Sequence, residues 1–285
     1  MVQRFTVIAG GLAGSSQDLP AGERRWRVDL RSVGTVGEPE IAAWRALLVR
    51  TGSAQTPFAD PDYLLPAARH QSAGRAVVLG FVWCRRDEGA EALRGVLPLV
   101  LGGSLWRRSH AGLWSPPGLP HGTGLSIEAS CAQEVASALR DALARAGWRL
   151  AMALPDLNAG MAPECRFTLL PASEARSGRR AVPTSHMVGV RPADFLSEEF
   201  ESVSEPGRVR DAVEDFLALD ARTARRPIVA DPSEAAMVRV VTRLFARRRA
   251  VSIDLASRSG LIVAGSLRLG TRQTLWRSAA AAAQT

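Results

Sequence analysis

The chain has 285 residues, of which 46% are hydrophobic and 22% charged, with a formal net charge of +8. That composition is the one expected of a soluble globular protein with a substantial core. No apolar run approaches the ~18 residues of a membrane helix; the longest, Gly95–Leu101, is the size of a strand. All basic side chains are arginine, scattered in pairs such as Arg24-Arg25, Arg85-Arg86, Arg107-Arg108 and Arg179-Arg180. They form no basic stripe with aromatics between, and no helix-turn-helix or zinc pattern accompanies them, which argues against a nucleic-acid binder. Small acidic partners such as phosphates stay compatible with the charge.

Residues 1–25 read as a leader. Phe5–Ser16 looks like a strand feeding a glycine turn, but Ala9, Gly11 and Gly14 fall one residue short of a G-x-G-x-x-G fingerprint. A dinucleotide site also needs a helix directly after that turn, and Asp18–Gly22 breaks one. Export is disfavoured too, because Arg4 alone stands for the charged region of a signal peptide and the apolar stretch is short.

Trp26–Val33 alternates as a first strand. Ile41, Trp44, Leu47 and Leu48 lie at helical spacing over 38–49. Pro57 and Pro61 bracket the entry to a helix at 62–71. Strands are expected at 75–84 and 93–101, joined by the turn 85–89. Residues 102–127, rich in Gly, Pro, Ser and Trp, read as a long irregular loop, a common location for function. Ala132–Gly147 is a helix with Val135, Leu139, Ala142, Leu143 and Ala146 on one face and Gly147 at its C-cap. A strand at 148–154 follows, then an irregular link over 155–180 and a strand at 181–190.

The last third reads most clearly. Val209, Val213, Phe216 and Leu217 make one face of a helix over 205–222. Asp231-Pro232 caps a second helix, over 231–248, with Met237, Val240, Val241, Leu244 and Phe245 as its stripe. Arg247–Arg249 offset the negative end of its dipole. Residues 251–255 and 261–269 alternate as a hairpin around the turn 257–260, and Gln273–Arg277 starts another strand. Helices, then a hairpin, then a strand occur in each half, so the chain is expected to be α/β with a mixed sheet.

Three cysteines, Cys84, Cys131 and Cys165, lie far apart. An odd, dispersed set points to free thiols in a reducing compartment, and so to the cytoplasm. His70, His110 and His186 stand at no metal-ligand spacing with Asp or Glu, so no metal is expected.

Six segments, in order, carry a resemblance to a known family: TPFADPDYLLPAARHQ at 56–71, GVLPLVL at 95–101, HGTGLSI at 121–127, AVEDFLALDA at 212–221, VVTRLFARRRAVSIDLASRSGLIVAGSLRL at 240–269 and LWRSA at 275–279. They resemble the CelD-like (cellulose biosynthesis) group of GNAT acyltransferases, over roughly 26–280. The resemblance implies two tandem GNAT-like domains, one over 26–180 with its linker and one over 181–285. It implies acyl-CoA-dependent N-acylation of a small-molecule amine or amino sugar, in cellulose, exopolysaccharide or envelope synthesis, alongside other polysaccharide-synthesis proteins. In that family two neighbouring strands part, the pantetheine arm lies along them, and a general base takes the amine proton. Rate comes mostly from positioning and carbonyl polarisation.

Carried over by residue, the resemblance places His121, Gly122 and Thr123 in the loop that meets substrate, with His121 as a general base; the alternative is a structural histidine. Lone neutral imidazoles suit general-base work near pH 7. Asp220 matches an acidic helix-end position, as a base or an amine ligand; the alternative is a solvated carboxylate. Arg225 and Arg226 are available to CoA phosphates. Trp276 and Arg277 match a Trp-Lys pair, and the Arg277 fork suits a carboxylate or phosphate. The chain departs from the family at 221–230, where the glycines and a lysine are replaced. It has no Q/R-x-x-G-x-G/A loop, and after LWRSA it lacks the family's final strand and helix, so the second domain is expected to be incomplete. Those departures support an alternative: a GNAT-like scaffold without catalysis. A dinucleotide-binding enzyme using residues 5–16 ranks last.

Overall fold

The computed structural model describes residues 24–86, 91–104, 107–120, 122–150 and 199–281. The expectations placed on residues 5–16, Trp106, His121, the 155–180 link, the 181–190 strand, Cys165 and His186 lie outside the described residues, as does the end of the strand expected over 148–154. The described residues form a mixed α/β fold with two sheets.

The first half runs β1 (Arg24–Ser32), α1 (Glu38–Arg50), α2 (Pro61–His70), β2 (Ala76–Arg86), β3 (Ala92–Ser104), β4 (Arg107–Leu113), β5 (Ser126–Ile127), α3 (Ala132–Arg145) and β6 (Arg149–Leu150). Its strands lie in the order β1-β2-β3-β4-β6, with β5 on β3. All neighbours are antiparallel except β4 and β6, which pair in parallel at His110–Arg149 and Ala111–Leu150. A parallel pair needs a crossover, and α3 supplies it.

The second half runs β7 (Glu199–Val203), α4 (Pro206–Thr223), α5 (Pro232–Arg247), β8 (Val251–Arg258), β9 (Leu261–Leu269) and β10 (Thr274–Ala280). These strands form an antiparallel sheet in the order β10-β9-β8-β7. Strand, two helices and three meandering strands therefore occur twice, as β1-α1-α2-β2-β3-β4 and as β7-α4-α5-β8-β9-β10.

Local chemistry explains most boundaries. Asp60 caps α2 by accepting the Asp62 amide at 2.9 Å. Asp231 caps α5 by accepting the Ser233 amide at 2.9 Å, and a proline follows each cap. Ser259 and Gly260 turn β8 into β9 with φ of 52° and 77°. Two consecutive positive φ values match the right-handed twist of the flanking strands.

Two expectations are corrected. Residues 24 and 25 belong to β1 rather than to a leader. The stretch 102–127 is not one loop: β3 extends to Ser104 and β4 pairs back onto it at Leu99–Leu113 and Leu101–Ala111. The glycines and serines there conceal a strand that exists because β3 offers it an edge. Likewise Glu199–Val203 shows no alternation and is exposed up to Ser202, yet five residues pair with β8.

The main core joins the two halves. Trp44, Leu47, Leu64, Phe81 and Trp114 share one buried cluster with Val213, Phe216, Val241, Phe245 and Trp276. Each such side chain contributes roughly 1.5–3 kcal/mol by burial. A second cluster lies on the opposite face of the first sheet, where Val135, Leu139 and Leu143 of α3 cover Val82, Leu97, Leu99 and Ala111.

Helix α2 lies against α5 at the seam. Arg248, just past α5, donates to Asp60 at 2.8 Å and Asp62 at 2.9 Å, and Arg45 of α1 reaches Asp62 at 2.9 Å. Both carboxylates are buried, and each finds its charge partner on another element. No helix among the described residues is long and apolar enough to cross a membrane.

Candidate functional site

The expected site residues fall in separate places. Thr123 is half-buried in a loop whose backbone is pinned by bonds from the Thr123 amide to the Pro120 carbonyl and from the Gly122 amide to Ser115 Oγ. Gly124 (φ +94°) lies directly on Leu64, where a Cβ would come within 2.7 Å of the leucine. The loop is thus packed onto α2.

Asp220 is not a solvated helix-end carboxylate. It is 6% exposed, and its Oδ2 accepts the Ile228 amide at 2.6 Å. A buried carboxylate in that position ties the α4–α5 connection to the end of α4. Arg225 and Arg226, in that connection, are exposed.

Trp276 and Arg277 are brought together with α2 and α5. The register of β10 slips by one residue between Leu275, opposite Arg268, and Arg277, opposite Leu267. An inserted residue in one strand re-aims the side chains around it. Here consecutive residues both turn toward the helices: Trp276 packs edge-on against Tyr63 at 5.6 Å, and Arg277 donates to Glu234 of α5 at 2.5 Å. Arg277 also lies 5.9 Å from the Trp276 ring centroid, and its Nε is buried without a partner among the described residues. Burial is the main reason the Tyr63 phenol is pushed up to about 12, against the opposing field of Arg277.

A different constellation lies on the outer face of the second sheet, away from the helices. Residues opposite one another in antiparallel strands share a face, so the pairing defines rows. Phe200, Ala256, Ala264 and Ala280 make one row; Ser202, Asp254, Ser266 and Ser278 make the next; Ser252, Arg268 and Leu275 make the third. Phe200, Leu275 and the small residues between them line a hollow that also takes in Asp254 and Arg268.

Asp254 organises this face. Its Oδ1 accepts from Ser202 Oγ at 2.8 Å and Ser252 Oγ at 3.0 Å. Its Oδ2 accepts from Ser266 Oγ at 3.1 Å and Arg268 Nε at 2.9 Å. Burial alone would raise the carboxyl, but the bonds from Ser202, Arg268, Ser252 and Ser266 outweigh it and hold it below the usual carboxylate range. The charged form is the one those donors favour. Among the described residues Arg268 is bound through Nε alone, which leaves its two Nη groups without a described partner.

Sequence reading misses this group. Its signal was present: Ser252 and Asp254 alternate on one strand, Ser266 and Arg268 on the next, and the turn sets them opposite. Ser202 carried no signal, because its strand shows no pattern.

Among the described residues no three His, Cys, Asp or Glu side chains converge to hold a metal. Cys84 and Cys131 are both buried. No family model matches the chain, and no curated protein matches it.

Proposed function

We propose that the protein is an acyl-CoA-dependent N-acyltransferase, built from two GNAT-like halves, that acylates a small-molecule amine or amino sugar in the cytoplasm, in polysaccharide or envelope synthesis. The observation that supports this reading is the repeated order of strand, two helices and three strands, extended in the first half by α3 and a parallel strand. The amine attacks the thioester carbonyl, the C–N bond forms, the C–S bond breaks, and CoA leaves as the thiolate. His121 takes the amine proton. Thr123 belongs to the loop facing substrate, Arg225 and Arg226 meet CoA phosphates from their exposed connection, and Asp220 holds that connection in place. Trp276 and Arg277 brace β10 beside the acceptor.

Calorimetric titration with acetyl-CoA tests the reading. Saturable one-to-one binding, weakened in the R225A/R226A double variant, is the expected result; absence of heat at high ligand concentration overturns it. A second reading, a non-catalytic scaffold in a polysaccharide-synthesis assembly, draws on the burial of Asp220, whose engaged carboxylate is out of reach of an acceptor. It predicts no CoA binding together with a stable protein partner on pull-down.

A further inference from the structure

We propose that the hollow on the outer face of β7–β10 is a binding site for a small monocarboxylate with a short apolar body, held by the Nη edge of Arg268. This does not depend on acyl transfer. Three observations converge. Arg268 is oriented: its Nε is tied to Asp254 at 2.9 Å, and Asp254 is itself held by three serines. A guanidinium fixed through Nε presents two parallel N–H donors, the geometry that matches a carboxylate.

The hollow is apolar beside that fork. Phe200 and Leu275 form its walls, and Ala256 and Ala264 its floor. Phe200 is 54% exposed, and a bound hydrocarbon body would cover it.

Charge then selects the class. Among the described residues, the one positive side chain lining the hollow already faces one carboxylate. A single partly neutralised guanidinium suits a monoanion, whereas a phosphate dianion calls for further cations. The corresponding face of the first sheet is apolar and covered by α3. The second sheet carries there a satisfied polar row that an apolar helix could not cover without desolvating it.

The test uses the full chain and fluorine NMR of para-fluorobenzoate, with para-fluorobenzamide as the neutral counterpart. Saturable binding of the benzoate is expected, with the amide at least about tenfold weaker. R268K keeps the charge but loses the fork, and it should weaken binding about tenfold. A264L fills the floor and should abolish binding while leaving the charges in place. Circular dichroism checks that each variant is folded.

Equal binding of amide and benzoate, unchanged binding in folded R268K and A264L, or no binding at all overturns the proposal. Displacement by an equimolar amount of inorganic phosphate overturns the monocarboxylate assignment in favour of a phosphate ligand. Acetyl-CoA binding, measured separately, reports on the acyltransferase reading and not on this site.

Discussion

In the first half, β4 returns through α3, and Val135, Leu139 and Leu143 lie over a sheet face built from Val82, Leu97, Leu99 and Ala111. In the second half, the face in the same position carries Ser202, Asp254, Ser266 and Arg268, hydrogen-bonded among themselves. The helix-side faces are alike: both are apolar, and both feed the same core. One arrangement of elements is therefore used twice, and the outer faces diverge. An apolar face needs cover, because leaving it in water forfeits its burial energy. A polar face whose groups already pair with one another can stay open. The difference leaves the first half with an apolar outer face under a helix and the second with a polar, internally hydrogen-bonded one.

Breaking the shared core should have the largest effect. Trp276→Ala removes the ring that meets Tyr63 across the seam. A loss of about 3–5 kcal/mol is expected, measured by denaturant unfolding, together with separation of one cooperative transition into two. A single transition at unchanged midpoint would show that the halves do not depend on this contact.

Alkaline pH tests the same seam through the only tyrosine of the chain. Tyr63 ionises near pH 10 when unfolded and at about 12 when folded. The unfolded chain loses its proton first, so stability is full below about pH 10 and falls as pH rises toward 12, by on the order of 2–3 kcal/mol. Tyr63→Phe should flatten that fall, and tyrosinate absorbance in the wild-type protein should lag behind that of the denatured chain.

Gly95→Ala sharpens the contrast between the faces. Its Cβ would come within 2.7 Å of Val135 on α3, and overpacking of this kind costs about 1–3 kcal/mol. Arg248→Ala should cost about 1–2 kcal/mol: it leaves Asp60 and Asp62 without their shared donor, but Arg248 is 41% exposed and solvent screens the loss. The smallest effect belongs on the outer face of the second sheet, where Ser278 is exposed and Ser278→Ala removes a single hydroxyl. A change within about 0.5 kcal/mol is expected there; a large loss would mean the hydroxyl is not exposed.

The helices and the β8–β9 hairpin were legible because their signals are local. Val209, Val213, Phe216 and Leu217 repeat at helical spacing and are all buried. Asp231 precedes a proline and caps α5, and the Ser-Gly turn sits where the alternation breaks. The site was legible only in part. Asp254 and Arg268 occupy alternating positions on neighbouring strands, but Ser202 joins them from 52 residues away, on a strand without a pattern of its own. Asp220 reads as a helix-end carboxylate, and only the path of the α4–α5 connection buries it.

By itself the sequence determined which segments are helices and hairpins, since periodicity, caps and turns act over a few residues. Only the tertiary structure decided three further matters. Pairing to existing edges made strands of 107–113 and 199–203. One inserted residue in β10 turned both Trp276 and Arg277 toward the helices. The placement of α3 covered one sheet face, while no described helix lies over the polar row of the other. Each depends on what lies opposite in space, and a residue's neighbours along the chain do not encode that.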